Sequence, residues 1–216
     1  MKTLIAVPSM DQVPALFAQS LAMLQRPDGD TPAVSFQIGS LIYNSRNALA
    51  MRAIQIDATH VFWLDSDMVF DPDTLIRMHK TMEETGADIV TGLYYRRVPP
   101  YTPVLFSKIE MTEKACEWKE FKEIPDELFE VAACGFGCVL MKVDVLWDVQ
   151  VNQGNPFTPI HNCGEDIAFC WRARQEGYKI ICDPTIPLGH VGTYTIGKSM
   201  YESYRKAVEQ NGSNNQ

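Results

Sequence analysis

The chain has 216 residues and a formal net charge of −8, with 46% hydrophobic and 21% charged residues. This is enough apolar material for one well-buried domain, and the acidic balance argues against nucleic acid or an anionic membrane surface as a partner. No apolar run approaches the roughly 20 residues that span a bilayer, and the N-terminus lacks a signal-peptide pattern. We therefore expect a cytoplasmic protein without a transmembrane segment.

Strand-like and helix-like patterns alternate along the first half of the chain. Short apolar runs predict strands at residues 3–7, 34–38, 60–64 and 89–93. Apolar positions at helical spacing predict helices at residues 14–24, 45–57 and 72–85, the last followed by Gly86. This alternation predicts an α/β fold with a mostly parallel, doubly wound sheet and helices on both faces.

The second half of the chain is less regular. Its predicted elements are strands at residues 104–108, 114–118, 128–132, 139–141 and 180–182, and helices at residues 143–149 and 167–176. We expect the first three of these strands to form a small antiparallel addition to the main sheet. The polar tail, residues 207–216, is predicted to be disordered because it offers no core residues.

The six cysteines do not follow the spacing of a zinc site. Cys134 and Cys138 are spaced CxxxC, but no second ligand pair follows them at the required distance. Cys170 and Cys182 fall in predicted core elements. In a chain expected in the cytoplasm, we interpret the cysteines as reduced, buried thiols.

Two carboxylates, Asp65 and Asp67, follow directly on the apolar run 61–64. A strand of this kind is buried on both faces, and its carboxyl end opens onto the ligand crevice of an α/β sheet. Carboxylates held close together repel each other unless a cation lies between them, and oxygen ligands suit Mg²⁺ or Mn²⁺. The alternative is that Asp67 caps a turn and Asp65 is simply exposed; the buried run favours the metal site.

A second acidic pair, Glu165 and Asp166, begins a predicted helix. Acidic residues in a first helical turn are stabilised by the helix dipole, so a purely structural role is the alternative. Considered with the other sites, we interpret Asp166 as a general base, with Glu165 as the second candidate.

His190 and Arg46 are the other two candidate site residues. His190 lies between Gly189 and Val191 after an apolar strand-like run, and its imidazole would complete a mixed nitrogen and oxygen site that favours Mn²⁺. Arg46 lies near a predicted helix N-terminus, where phosphate binds readily. The alternatives are an ordinary structural histidine and a solvated arginine.

These segments, in this order, resemble the GT-A glycosyltransferases, specifically the family-two-like group with many small bacterial and phage members. The matching segments are Val7-Pro8, Ser45-Arg46-Asn47-Ala48, Phe62-Trp63-Leu64-Asp65-Ser66-Asp67, Gly135-Phe136-Gly137, Gly164-Glu165-Asp166 with Phe169 and Arg172, and Gly189-His190. One departure is Ser9-Met10-Asp11, where the family usually has an aromatic residue followed by Asn.

The resemblance implies a Rossmann-like GT-A domain over residues 1–206. Residues 1–98 would bind a nucleotide sugar, and residues 99–206 would hold the acceptor and the catalytic groups. It further implies the following site: Asp65, Asp67 and His190 as metal ligands, Pro8, Arg46 and Asp65 at the nucleotide, Gly135 and Gly137 where the backbone approaches the donor or acceptor, and Asp166 as base.

The expected reaction is metal-dependent transfer of a sugar from a nucleotide-diphosphate sugar to a hydroxyl group of a glycan, lipid or protein. We expect the donor to be a UDP-sugar. We expect inversion at the sugar, with Mn²⁺ or Mg²⁺ as cofactor; retention is the alternative, because retaining enzymes share this fold and metal site. One alternative is a sugar nucleotidyltransferase, which would need a Gly-rich loop with a basic residue after the first strand; residues 8–14 have neither. The other alternative is a non-catalytic carbohydrate-binding module of the same fold.

Overall fold

The computed structural model describes residues 1–39, 41–193 and 197–213. Its strands are β1 (Lys2–Ser9), β2 (Thr31–Ile38), β3 (His60–Leu64), β4 (Met68–Phe70), β5 (Ile89–Leu93), β6 (Leu105–Met111), β7 (Cys116–Glu120), β8 (Phe129–Glu130), β9 (Ala133–Cys134), β10 (Cys138–Lys142) and β11 (Ile180–His190). Its helices are α1 (Ala15–Met23), α2 (Ile42–Gln55), α3 (Thr74–Thr85), α4 (Val143–Gln153), α5 (Glu165–Gln175) and α6 (Lys198–Ser213).

A twisted central sheet carries the strands in the order β2-β1-β3-β10-β5-β11-β4, with β8 paired to β11. Parallel pairs join β2, β1 and β3 on one side and β5 to β11 on the other. The strand β10 lies between these groups and runs antiparallel to both β3 and β5. The predicted mostly parallel α/β sheet is confirmed, and a second sheet of order β7-β6-β9 forms a small antiparallel addition. Its third strand is β9 and not the predicted strand 128–132, because β8 in that segment pairs with β11 of the main sheet.

The main sheet is buried on both faces because its central strands are continuously apolar. In β3 the residues Val61, Phe62, Trp63 and Leu64 are fully buried, and they alternate between two hydrophobic clusters. One cluster packs α2, α4 and α5 against the sheet, and the other packs α1 and α3 against the opposite face. Helices therefore cover both faces of the sheet, so we look for a ligand site at the polar ends of the strands.

The helix α3 ends where the sequence predicts. Gly86 follows it in the left-handed conformation, at φ 67°, which glycine adopts without steric cost. Strands β3 and β5 also have the predicted bounds. The short strand β4, immediately after the acidic pair, is not anticipated by the sequence patterns.

Two expectations need correction. Cys116 and Cys163 form a disulfide, so only Cys134, Cys138, Cys170 and Cys182 are the buried free thiols expected from sequence. The two partners are 47 residues apart in sequence, and only folding of β7 against the segment before α5 brings them together. Because disulfides are uncommon in a reducing cytosol, the cytoplasmic location stays a prediction. The segment predicted as a disordered tail is helical as far as Ser213, and residues 214–216 lie outside the described part of the chain.

Within the described ranges, no helix combines the length and apolar character that crossing a bilayer requires.

Candidate active site

A cavity of about 370 Å³ opens at the carboxyl ends of β1 and β3. It is lined by Pro8, Ser9, Met10, Gly39, Ile42, Ser45, Asp65, Ser66, Asp67, Arg97 and His190. Crevices at this edge of α/β sheets are the usual ligand sites of the fold class. Four residues proposed from sequence, Pro8, Asp65, Asp67 and His190, therefore share one cavity although they come from three separated segments.

Asp67 is surrounded by two cationic or potentially cationic groups. Its Oδ2 accepts hydrogen bonds from Nη1 of Arg97 and lies 3.3 Å from Nε2 of His190. Burial alone would raise the pKa of Asp67, but the hydrogen bond and charge of His190 and the charge of Arg97 lower it below its usual value. Asp67 is therefore ionised at neutral pH and presents a negative oxygen to the cavity.

The position of His190 is set by strand pairing. The strand β11 runs antiparallel to β4, with His190 opposite Met68, and the amide of Val191 donates to the carbonyl of Asp67 over 2.8 Å. Nδ1 of His190 lies 2.9 Å from the carbonyl oxygen of Tyr95, so this nitrogen carries a proton and donates it. Nε2 is thereby turned towards Asp67.

This arrangement has an electrostatic consequence. In a neutral His190 protonated on Nδ1, the lone pair of Nε2 would face an oxygen of Asp67 at 3.3 Å, which is repulsive. Either a second proton on the ring or a cation shared by the two atoms relieves that repulsion. The hydrogen bond to Asp67 raises the pKa of His190, which is consistent with a second proton on the ring.

Arg46 lies beneath the cavity and is 2% exposed. Its Nη2 donates to Oδ1 of Asp65 over 2.8 Å, and its Nε donates to Oε1 of Glu165 over 3.2 Å. The guanidinium also stacks on Phe136, 5.3 Å from the ring centroid. Arg46 therefore links the acidic pair after β3 to the acidic pair at the start of α5, and its Nη1 is buried without a partner among the described residues.

The side chain of Asp65 remains accessible despite this ion pair. It is 32% exposed and lines the cavity, and its Oδ2 has no hydrogen-bond partner within the described residues. Burial raises its pKa, and Arg46 opposes that effect. One oxygen of Asp65 is thus fixed by Arg46, which leaves the other for a ligand.

Asp166 differs from its neighbour Glu165 in its partners. Glu165 is paired with Arg46, whereas Asp166 accepts only the amide of Ile167, over 2.8 Å. Burial, and then the charge of Glu165, raise the pKa of Asp166 to about 6. The sequence suggests that the helix N-terminus weakens this carboxylate as a base, but in the structure burial and Glu165 outweigh that effect.

Gly135 and Gly137 do not line the cavity; they pack against Tyr94 below it. A Cβ at Gly135 would lie 2.2 Å from the Tyr94 hydroxyl oxygen, and one at Gly137 would lie 2.8 Å from its Cζ. The amide of Gly137 donates to that hydroxyl, and its carbonyl accepts the amide of Asp65. The structure thus gives both glycines a packing role that supports Asp65; their approach to a donor sugar stays a prediction.

The donor chemistry of the cavity fits a divalent cation. Among the described residues, no three His, Cys, Asp or Glu side chains are grouped as a ready-made metal site. Asp67 and His190 nevertheless place one oxygen and one nitrogen side by side, and hard cations in phosphate-binding sites commonly take one or two protein ligands and complete their shell with phosphate oxygens. A metal shared with a bound diphosphate therefore suits this pair, with the free oxygen of Asp65 as a further donor.

The family model described as "Glycosyl transferase family 2" matches residues 42–150, just over half of the chain. The chain belongs to glycosyl transferase family 2. Its reaction class is therefore glycosyl transfer, and the resemblance seen in the sequence motifs is confirmed. No curated protein sequence matches this glycosyltransferase significantly.

Solved structures of other proteins share its fold. A197 from STIV superimposes with a TM-score of 0.62 at 20% identity, over 89% of this chain and 87% of A197. GalNAc-T7, in a structure with UDP, GalNAc and Mn²⁺, superimposes with a TM-score of 0.58 at 9% identity, over 90% of this chain and 43% of that protein. The glycosyltransferase thus spans less than half of the GalNAc-T7 chain, and at these identities both comparisons establish the GT-A fold alone.

The sequence motifs of the glycosyltransferase do not single out Arg97. Arg96 and Arg97 follow β5, and the patterns favour solvation or a structural ion pair for both; each does form an ion pair, Arg96 with Glu120 and Arg97 with Asp67. Only Arg97 lines the cavity. The available signal was its place just beyond the carboxyl end of a central strand, where ligand-binding loops of this fold class lie.

Proposed function

We propose that the protein transfers a sugar from a nucleotide-diphosphate sugar, UDP-linked, to a hydroxyl group of an acceptor. The observation that carries this proposal is the meeting of Asp67 and His190 with the network of Asp65, Arg46 and Glu165 at one edge of the sheet. A metal-binding pair for the diphosphate and a carboxylate base, here Asp166 next to Glu165, are the two functions that glycosyl transfer from a diphosphate needs.

The donor would lie in the 370 Å³ cavity. Met10 and Ile42 are exposed apolar side chains on its wall and offer a surface for the flat face of a nucleotide base. Pro8 lies beside them at the end of β1. This apolar wall takes the place of the aromatic-Asn pair that the sequence lacks.

Asp67, His190 and the free oxygen of Asp65 would hold a divalent metal, Mn²⁺ by the chemistry of a mixed nitrogen and oxygen set. When bound, such a cation supplies positive charge to the departing diphosphate. The residues of the chain do the remaining work: Tyr95 fixes the ring of His190, and Arg46 fixes Asp65. That GalNAc-T7 shares the fold and was crystallised with UDP and Mn²⁺ supports this choice of donor and metal.

Asp166 would remove the proton of the acceptor hydroxyl, consistent with an inverting displacement. A base works best when its pKa is near the working pH, and burial raises the pKa of Asp166 to about 6. It is still ionised at neutral pH, yet it is a stronger base than an exposed aspartate. Glu165 is less suitable because its charge is already paired with Arg46.

A donor panel tests the proposal. The purified protein is incubated with Mn²⁺ and each of several UDP-, GDP- and dTDP-sugars, with water as the hydroxyl acceptor, and release of the nucleoside diphosphate is measured with and without EDTA. We expect UDP release from a UDP-sugar, loss of release with EDTA, and a loss of about 10²-fold or more in Asp166→Asn with unchanged UDP affinity.

The control is Asp144→Asn, which neutralises an exposed aspartate of α4 that is not in the cavity lining. This variant should retain full release. Metal-independent release, or an Asp166→Asn variant as active as the control, would contradict the assigned chemistry.

A further inference from the structure

Arg97 is the cation that contacts the proposed metal site from the cavity side. Its Nη1 donates to Oδ2 of Asp67, and the same oxygen lies 3.3 Å from Nε2 of His190. Oδ2 is therefore the shared atom between Arg97 and the imidazole proposed as a metal ligand. A divalent cation held by Asp67 and His190 would compete with Arg97 for this one oxygen.

The backbone that carries Arg97 is anchored, while its side chain is free to reorient. Tyr95 pairs with Pro103, and the amide of Arg96 donates to the carbonyl of Thr102 over 3.0 Å, so the segment doubles back on itself beside the cavity. The carbonyl of Tyr95 also accepts from His190. By contrast, the Arg97 side chain is 54% exposed, and Asp67 is its one described ion-pair partner.

A comparison of Arg97 with Arg46 indicates which group Arg97 would bind after it leaves Asp67. Arg46 is buried beneath the floor and engaged by two carboxylates, so it is not available to a ligand in the cavity. Arg97 is the arginine in the cavity lining. A diphosphate entering there is rich in acceptor oxygens, and guanidinium groups bind such oxygens in a two-point contact.

We propose that Arg97 is a diphosphate-binding residue that changes partner when the donor binds. It pairs with Asp67 first, yields that oxygen to the metal, and then bonds to the diphosphate of the nucleotide sugar. This inference rests on the proposed function and adds a residue that the sequence motifs do not contain. Arg97 thereby makes metal binding and donor binding cooperative, since each releases or uses the same guanidinium.

Two binding measurements, neither of them an activity assay, test the exchange. Mn²⁺ alone is titrated into the full chain and followed by electron paramagnetic resonance, and UDP is then titrated by calorimetry at saturating Mn²⁺. For Arg97→Gln we expect Mn²⁺ alone to bind about 3- to 10-fold more tightly, because the half-exposed ion pair that competes for Asp67 is lost. We expect UDP to bind about 10-fold more weakly, since a charge-assisted contact is lost.

The matched control is Arg96→Gln, which removes the neighbouring arginine that pairs with Glu120 instead. It should leave both affinities unchanged. Unchanged Mn²⁺ and UDP affinities in Arg97→Gln, with normal binding by the parent protein, would overturn the partner exchange and leave the proposed function standing. Absence of Mn²⁺-dependent UDP binding in the parent protein would overturn both.

Discussion

Arg46 offers the strongest test of how the site is held together. Replacing it with Met keeps an apolar stem against Phe136 but removes the charge between Asp65 and Glu165. The Glu165 side chain is 14% exposed and the Asp65 side chain is 32% exposed. Once Arg46 is removed, water therefore stabilises the unpaired charge of Asp65 better than that of Glu165. Removing one partner of a buried pair costs about 3–5 kcal/mol, and the exposure of Asp65 places this case at the lower end, about 3 kcal/mol.

The assay is thermal unfolding of the Arg46→Met variant at pH 7. A loss of about 3 kcal/mol lowers the melting temperature of a domain of this size by roughly 6–12 °C. The deficit should shrink as the pH falls, because burial raises the pKa of Asp65 and this carboxyl, once protonated, no longer needs a counter-charge.

Two further variants sharpen the test. Arg52→Met replaces an exposed arginine of the same helix and should change stability by less than about 0.5 kcal/mol. Adding Asp65→Asn to Arg46→Met should restore part of the lost stability, because one unpaired charge disappears. An Arg46→Met protein as stable as Arg52→Met at pH 7 would refute the reasoning that Arg46 holds the two acidic pairs together.

Three other predictions follow from individual contacts. The pKa of Asp166 is raised to about 6 in the folded protein, so its buried charge destabilises the fold above that pH, and this cost fades as the pH falls towards the ordinary aspartate range. Asp166→Asn should therefore raise the unfolding midpoint at pH 8 and not at pH 4. Equal effects of the substitution at both pH values would contradict the raised pKa. Gly135→Ala should cost about 1–3 kcal/mol through the Tyr94 hydroxyl, and less in a Tyr94→Phe background; thermal melts of the single and double variants measure this, and identical costs would exclude Tyr94 as the cause. Reduction of the Cys116–Cys163 disulfide, which closes a loop with a sequence separation of 47, should lower the free energy of unfolding by about 2–4 kcal/mol, while dithiothreitol should leave a Cys116→Ser variant unaffected.

Much of the first half of the fold can be predicted from sequence because its signals are local. The apolar run of β3, the Gly86 end of α3 and the apolar run of β5 each indicate a short element without help from distant residues, although α3 begins at Thr74 and not at the predicted Pro72. The insertion of β10 between β3 and β5 is different: its apolar residues predict a strand but carry no information about neighbours or direction. Pairing partners depend on the whole chain.

The same distinction applies to the site. Asp65, Asp67, Asp166 and His190 stand out as residue types at the ends of predicted elements. The meeting of Asp67 and His190 depends on β11 pairing with β4, a three-residue strand that no pattern indicates. Arg46 was expected to face phosphate. The structure places it under the floor because its neighbours Phe136 and Glu165, distant in sequence, form a pocket for a buried guanidinium.

The most direct test of the central claim is the anomalous diffraction of a crystal soaked with UDP and Mn²⁺. We predict one Mn²⁺ peak bonded to Asp67 and His190 and to the diphosphate, with Arg46 still joining Asp65 to Glu165. A nucleotide bound elsewhere on the sheet, or a Mn²⁺ peak that touches neither Asp67 nor His190, would contradict it.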